Sequence, residues 1–220
     1  MELDDMLTED DDSSFRAGDV TLAKHSGDVR TVATGFARAL GLPSSLLRDL
    51  ACAAWLHDVG KADPRFQRWL RGGGDVGDPR LLAKSSLPEN RPRERDLARR
   101  RAGYPPGYRH ELLSLAMIQK APASIAEAED DELVRHLVAS HHGWCRPFPP
   151  LVDDPEDESV SFEHGELSLA AGTRHGLAAL DSGVADRYWS LVERYGWWGL
   201  AWLEAVLRLA DHRASEWEEA

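Results

Sequence analysis

The chain has only two cysteines in 220 residues, Cys52 and Cys145. Two thiols cannot build the multi-bridge framework of a small secreted domain, and a reducing, cytoplasmic setting is the default expectation. Apolar runs are short. None approaches the roughly 18 residues that a membrane span requires, so no membrane partner is expected. The acidic start, Met1-Glu2-Leu3-Asp4-Asp5, lacks the basic and apolar regions of a secretory leader. Basic charge is also scarce: 26 Lys and Arg face 38 Asp and Glu, for a net charge of −12. That balance excludes a protein that coats nucleic acid by bulk electrostatics. It leaves a nuclease open, because cations held in a cleft reverse the local sign. There is no Gly-x-x-x-x-Gly-Lys-Ser/Thr phosphate loop in these 220 residues, as expected of a stand-alone subunit or a fragment. No sustained apolar–polar alternation is present, so the expected fold class is all-α, and no internal repeat is visible.

Apolar residues at 42% and charged residues at 29% fit a globular domain. Residues 1–15 read as a disordered lead-in, and 16–220 as one domain. Val29, Val32, Ala33, Phe36 and Leu40 recur at helical spacing, with Gly41 and Pro43 ending that helix. A second helix runs from about Pro43 to His57, and a short amphipathic piece holds Phe66, Trp69 and Leu70. Residues 72–107, rich in Gly, Pro and Arg, read as a surface insertion with one short helix. Helices follow from Tyr108 through Ile118 and from Asp131 to His141, then over about 165–180, 184–194 and 197–217. The acidic stretches 9–12, 127–132 and 153–158 read as solvated turns, and the tryptophans mostly as core.

The placement of the histidines says more than their number. His57-Asp58 ends an otherwise apolar helix (Leu50, Ala53, Ala54, Leu56), where a charged group needs a partner or a metal. Gly60 and Lys61 follow at once. His110 opens a helix, His141-His142 closes one, and His25 is expected just before the first long helix. Asp211 interrupts the apolar run Val206-Leu207-Arg208-Leu209-Ala210. His136, His164 and His175 read as surface residues. Imidazole and carboxylate together suit borderline transition metals.

This order resembles the HD superfamily of metal phosphohydrolases, whose signature is similar to His57-Asp58-Val59-Gly60-Lys61. Within it, Ala23-Lys24-His25-Ser26, Phe66-Gln67, Tyr108-Arg109-His110-Glu111, Ser140-His141-His142-Gly143 and Leu209-Ala210-Asp211-His212-Arg213-Ala214-Ser215 resemble the HD nuclease domain of the type I CRISPR helicase-nuclease. The resemblance spans about residues 20–217. Gly103-Tyr104-Pro105 matches a tripeptide of the cyclic-dinucleotide phosphodiesterases, but it precedes His110 rather than following the doublet and is read as coincidence.

The resemblance implies an all-α HD-type helical bundle with a dinuclear metal site in its core cleft. It implies two divalent transition-metal ions (Mn, Fe, Ni, Co or Zn): one on His25, His57, Asp58 and Asp211, the second on Asp58, His110, His141 and His142. Asp58 and Lys61 are the expected catalytic residues, Lys61 offsetting charge on the phosphate. The implied activity is metal-dependent cleavage of single-stranded DNA in antiviral defence. It would act with a separate CRISPR helicase subunit and an RNA-guided surveillance complex. A nucleotide or cyclic-nucleotide phosphohydrolase is the alternative. The arginines of 91–101, beside Tyr104 and Tyr108, are a candidate single-strand surface by charge and stacking.

Overall fold

The computed structural model describes residues 18–74, 77, 79–84, 92–149, 158–162 and 166–218. The lead-in, the acidic stretch 9–12, most of 153–158, Arg91 and His164 lie outside these residues. Seven helices are described: α1 (Leu22–Ala39), α2 (Ser44–Leu56), α3 (Pro64–Leu70), α4 (Pro92–Ala102), α5 (His110–Lys120), α6 (Asp131–Ser140) and α7 (Val184–Glu218). One-turn 3₁₀ helices lie at Val59–Ala62 and Pro122–Ile125. The expected all-α architecture is present.

α5 forms the centre. His110 through Ile118 are all buried, as befits a helix surrounded on every side. It packs against α6 and the turn Val59–Ala62, while α1 packs on α2 and α7. The core joins Val29, Val32 and Ala33 of α1, Leu50, Ala53 and Ala54 of α2, Leu113 and Met117 of α5, Leu133 and Leu137 of α6, and Leu203 and Leu207 of α7.

Several boundaries differ from expectation. α1 begins seven residues before Val29, because Thr21 caps it by accepting a hydrogen bond from the Lys24 amide at 3.3 Å. His25 therefore sits in the first turn of α1 rather than before it. Two small antiparallel pairs occur, β1 (Val20–Thr21) with β2 (Leu82–Lys84), and β3 (Val160–Phe162) with β4 (Leu167–Leu169). β3 and β4 do alternate buried and exposed residues, but over three residues each, too short for a period of two to register. No helix forms over the described residues 166–180. After β4 the chain turns through Gly172, Gly176 and Gly183, at φ 76°, 68° and 82°, values that favour glycine. The last two expected helices are both present; they run end to end as α7, and the break expected between 194 and 197 falls at Gly196 (φ 71°, ψ 161°).

The segment 72–107 is less peripheral than its composition suggests. Leu82, Ala83, Ala98, Ala102 and Tyr104 are all buried. Tyr104 stacks on Trp69 with ring centroids 5.4 Å apart and meets Phe66 and Tyr108 edge-on. Tyr104 and Tyr108 are thus core residues, unavailable for base stacking, and Arg99 and Arg100 pair with Asp96 of their own helix. The tryptophans depart the other way: Trp189, Trp197, Trp198, Trp202 and Trp217 are exposed. Among the described residues, no helix is long and apolar enough to cross a membrane.

Candidate metal centre

The histidines are delivered near helix ends, while Asp211 projects from within α7. His57 follows the last residue of α2, and His141 the last residue of α6. The last carbonyls of a helix have no intrahelical donor, and both rings exploit this identically. His57 Nδ1 lies 2.8 Å from the Ala54 carbonyl, and His141 Nδ1 lies 2.7 Å from the Val138 carbonyl. A carbonyl only accepts, so each Nδ1 must be the donor and each Nε2 of the neutral ring is left with a bare lone pair. Both Nε2 atoms are buried and have no hydrogen-bond partner. Such an orphaned group costs about 1–3 kcal/mol, and two of them facing one carboxylate call for a cation.

That carboxylate is Asp58, at the start of the turn Val59–Ala62. Its two oxygens face different groups. Oδ2 lies 3.5 Å from His25 Nε2, 3.5 Å from His57 Nε2 and 2.8 Å from Lys61 Nζ. Oδ1 lies 3.1 Å from His110 Nε2 and 3.5 Å from His141 Nε2. Asp211 Oδ1 approaches His25 Nε2 at 3.1 Å, and His142 Nε2 approaches His110 Nε2 at 3.1 Å. Two sets of side chains capable of holding a metal result, His25–His57–Asp58 and Asp58–His110–His141–His142, each with its donor atoms within 4.8 Å of one another. All seven residues singled out in the sequence as ligands converge here.

Residues 16–218 match the family described as Cas3, HD domain. The chain belongs to that family. No curated protein and no solved structure matches it. As a Cas3 HD domain it is a metal-dependent HD hydrolase, a nuclease of CRISPR defence that acts on nucleic acid. HD domains bind divalent metals, and the orphaned Nε2 atoms with the divided carboxylate fit that requirement.

Electrostatics in this Cas3 HD domain prepare the donors for a cation. Burial pushes His57 down to about 4 despite the facing Asp58 and Asp211. Burial, with His141 and His110 alongside, holds His142 well below its ordinary value. Burial acts to raise Asp58, but His57 and Lys61, then His110 and His141, outweigh it and hold the carboxyl well below the usual range. Asp211 is lowered against burial by the hydrogen bond and charge of His25. His25 is the exception. Burial disfavours its charged form, but hydrogen bonds to Asp211 and Glu218 win and raise it to about 9. A metal there must displace a proton.

The rest of the signature explains itself by packing. A Cβ added to Gly60 would lie 2.1 Å from the His110 carbonyl oxygen, and the Gly60 amide donates to Ser114 Oγ at 2.8 Å. Only glycine lets the Asp58 turn press against the start of α5. Gln67 ties the turn to β2: its Nε2 donates to the carbonyls of Lys61 and Leu82, and its Oε1 accepts from the Leu82 amide. Both cysteines are free, and burial pushes their thiols up to about 12, so neither serves as a thiolate.

Sequence reasoning missed Glu218, whose Oε1 is 2.9 Å from His25 Nδ1, and Lys84, whose Nζ is 2.9 Å from Glu218 Oε2. No motif marks either residue. Burial of a lysine inside a segment taken for surface was the only possible signal, and it appears only in three dimensions. His136, read as a surface residue, is buried on α6 against Glu204 at 2.6 Å. His175 is half-buried beside Tyr108, and His212 is exposed.

Proposed function

We propose that this Cas3 HD domain cleaves single-stranded DNA with two divalent transition-metal ions, which Asp58 would help to hold on both sides. His25, His57 and Asp211 would complete one site, and His110, His141 and His142 the other. The observation that carries this reading is the division of Asp58, with one oxygen toward each histidine set. A carboxylate so placed could offer an oxygen to each of two ions. The bound ions would supply Lewis acidity, polarising the phosphate and acidifying a water. The chain's own residues do the positioning. Asp58 and Asp211 contribute the anionic charge that holds the cations. The backbone carbonyls of Ala54 and Val138 aim the imidazoles. Lys61, buried and 2.8 Å from Asp58 Oδ2, keeps that carboxylate ionised and places a positive charge where a phosphate would arrive.

Of the seven residues, only His142 and Asp211 retain solvent exposure, so the substrate approaches on their side. We further propose that a separate helicase subunit and an RNA-guided surveillance complex supply the strand, in the cytoplasm.

Incubation with circular single-stranded DNA plus manganese or nickel should give metal-dependent cuts, abolished by EDTA. The same preparation should leave mononucleotides and cyclic dinucleotides intact. Turnover of those small substrates without cleavage of the circle would replace this reading with a nucleotide phosphohydrolase.

A further inference from the structure

Three of the candidate ligands show how their rings are aimed, and one differs in kind. His57 and His141 lie at helix C-termini and donate from Nδ1 to a carbonyl three residues back. His25 lies in the first turn of α1, where the carbonyl three residues back is that of Leu22, the first residue of the helix, which points along the helix to an amide of the next turn, and that device is out of reach. Its Nδ1 meets Glu218 Oε1 at 2.9 Å instead. Glu218 comes from the far end of α7, 193 residues along the chain, and is fixed by Lys84 at 2.9 Å on its other oxygen. Lys84 is delivered by the pairing of β1 with β2, in which Val20 sits opposite Lys84. All three side chains are almost wholly buried, at 1%, 0% and 3% exposure.

We propose that Glu218, clamped by Lys84, is the positioning residue for His25. It holds the proton on Nδ1, turns Nε2 toward Asp58 and Asp211, and makes metal capture at the His25 side depend on the end of α7. A carboxylate behind a ligating imidazole orients the ring and makes it a stronger donor than a carbonyl does, and loss of such a partner typically costs 10–100-fold in metal affinity. The consequence is an asymmetric centre. His57 and His141 rely on helix-end carbonyls, while His25 relies on a buried ion pair joining β2 to α7. Glu218 itself touches neither substrate nor metal. This inference rests on the metal-centre reading above.

The test is metal titration of the full chain with manganese or zinc, monitored by calorimetry, together with ¹⁵N–¹H imidazole spectra of the zinc-loaded protein. Glu218→Ala should weaken one of the two binding events about 10–100-fold, leave the other unchanged, and remove the hydrogen-bonded Nδ1–H resonance of His25. Glu218→Gln keeps an acceptor oxygen without the charge. It should retain that resonance and lose affinity less, about tenfold at the same step. Lys84→Met should fall between wild type and Glu218→Gln. Glu218→Gln is nearly isosteric, so it keeps the test informative if the alanine variant fails to fold. Wild-type affinity at both steps and an unchanged His25 resonance in Glu218→Ala or Glu218→Gln would overturn the proposal. Absence of any metal binding by the wild-type chain would instead overturn the metal-centre reading on which it stands.

Discussion

Two buried polar clusters in this domain use the same residue types and reach opposite outcomes. At His136, Nε2 meets Glu204 Oε1 at 2.6 Å, and Arg146 Nη1 meets Glu204 Oε2 at 2.6 Å. No buried atom of His136 or Glu204 lacks a partner. Around Asp58 the residues are again imidazole, carboxylate and a cation, but His57 Nε2 and His141 Nε2 have none. Residue type therefore does not distinguish a metal centre from a structural knot; unsatisfied, convergent lone pairs do. The first cluster closes its hydrogen bonds inside the protein and binds α6 to α7. The second leaves its donors open, and the fold supports that cost from outside, with carbonyls, Lys61 and Glu218.

The largest effect should come from emptying the open cluster. His57→Ala or Asp58→Ala should lower cleavage at least ~1,000-fold, because Asp58 is shared by both sides of a unit that acts together, and metal content measured by mass spectrometry should fall with it. A metal-free variant that still cuts would dissolve the distinction between the clusters. Gly60→Ala comes next. Its Cβ meets backbone oxygen, not a flexible side chain, at 2.1 Å, so the Asp58 turn must move away from α5. Overpacking of this kind costs about 1–3 kcal/mol or more, and both Tm and metal affinity should drop. An unchanged Tm would show that the turn has slack.

Breaking the closed cluster should give the complementary result. Glu204→Ala strands His136, which is 1% exposed, and the loss of one partner in a buried pair costs about 3 kcal/mol, roughly 10 °C in Tm. Metal stoichiometry should not change. If Glu204→Ala strips the metal, the two clusters are one network.

A smaller effect sits at the start of α6. Asp130 caps α6 by accepting from the Leu133 amide at 3.2 Å, and it also accepts from the Tyr195 hydroxyl at 2.7 Å and from Arg194. Burial pulls its carboxyl up, but Tyr195 and Arg194 hold it below the usual range. Its contribution is therefore present above the ordinary aspartate value of about 4 and is lost as pH falls through its lower folded value. Asp130→Asn should cost about 1 kcal/mol near neutral pH, with the gap from wild type closing in acid melts. A gap that persists below that range would assign the loss to the cap alone.

The sequence was most legible where chemistry forces an exception to a pattern. His57-Asp58 and Asp211 stand out because charge interrupts apolar helical runs, and all seven proposed ligands converge. It was least legible where a local rule gives way to tertiary packing. Tyr104 lies among arginines yet stacks on Trp69, because the ring's apolar area is worth more in the core than beside solvated charge. Lys84 and Glu218 carry no motif, and only the β1–β2 pairing makes them neighbours of His25. Five tryptophans expected inside are exposed, four of them around the Gly196 break, where a single positive φ between the two expected helices resets which face turns inward.

The smallest effect should fall on the open side of the metal centre. Arg208 is exposed, one turn before Asp211 on α7, and a Cβ built on Gly143 would meet its Nη1 at 3.4 Å. The guanidinium therefore lies beside the loop that follows the histidine doublet, on the side where His142 and Asp211 reach solvent. A planar cation at that mouth would suit a phosphate of the incoming strand, leaving the reacting phosphate to the role proposed for Lys61. Arg208→Ala should raise KM for single-stranded DNA several-fold, about 1 kcal/mol of phosphate contact. It should also flatten the dependence of binding on salt by about one ion, with kcat nearly unchanged. Arg208→Lys should recover most of the salt dependence but less of the KM. A fall in kcat at constant KM would move Arg208 from the mouth into the chemistry, and an unaltered KM and salt slope would place the path of the strand on another face of the domain.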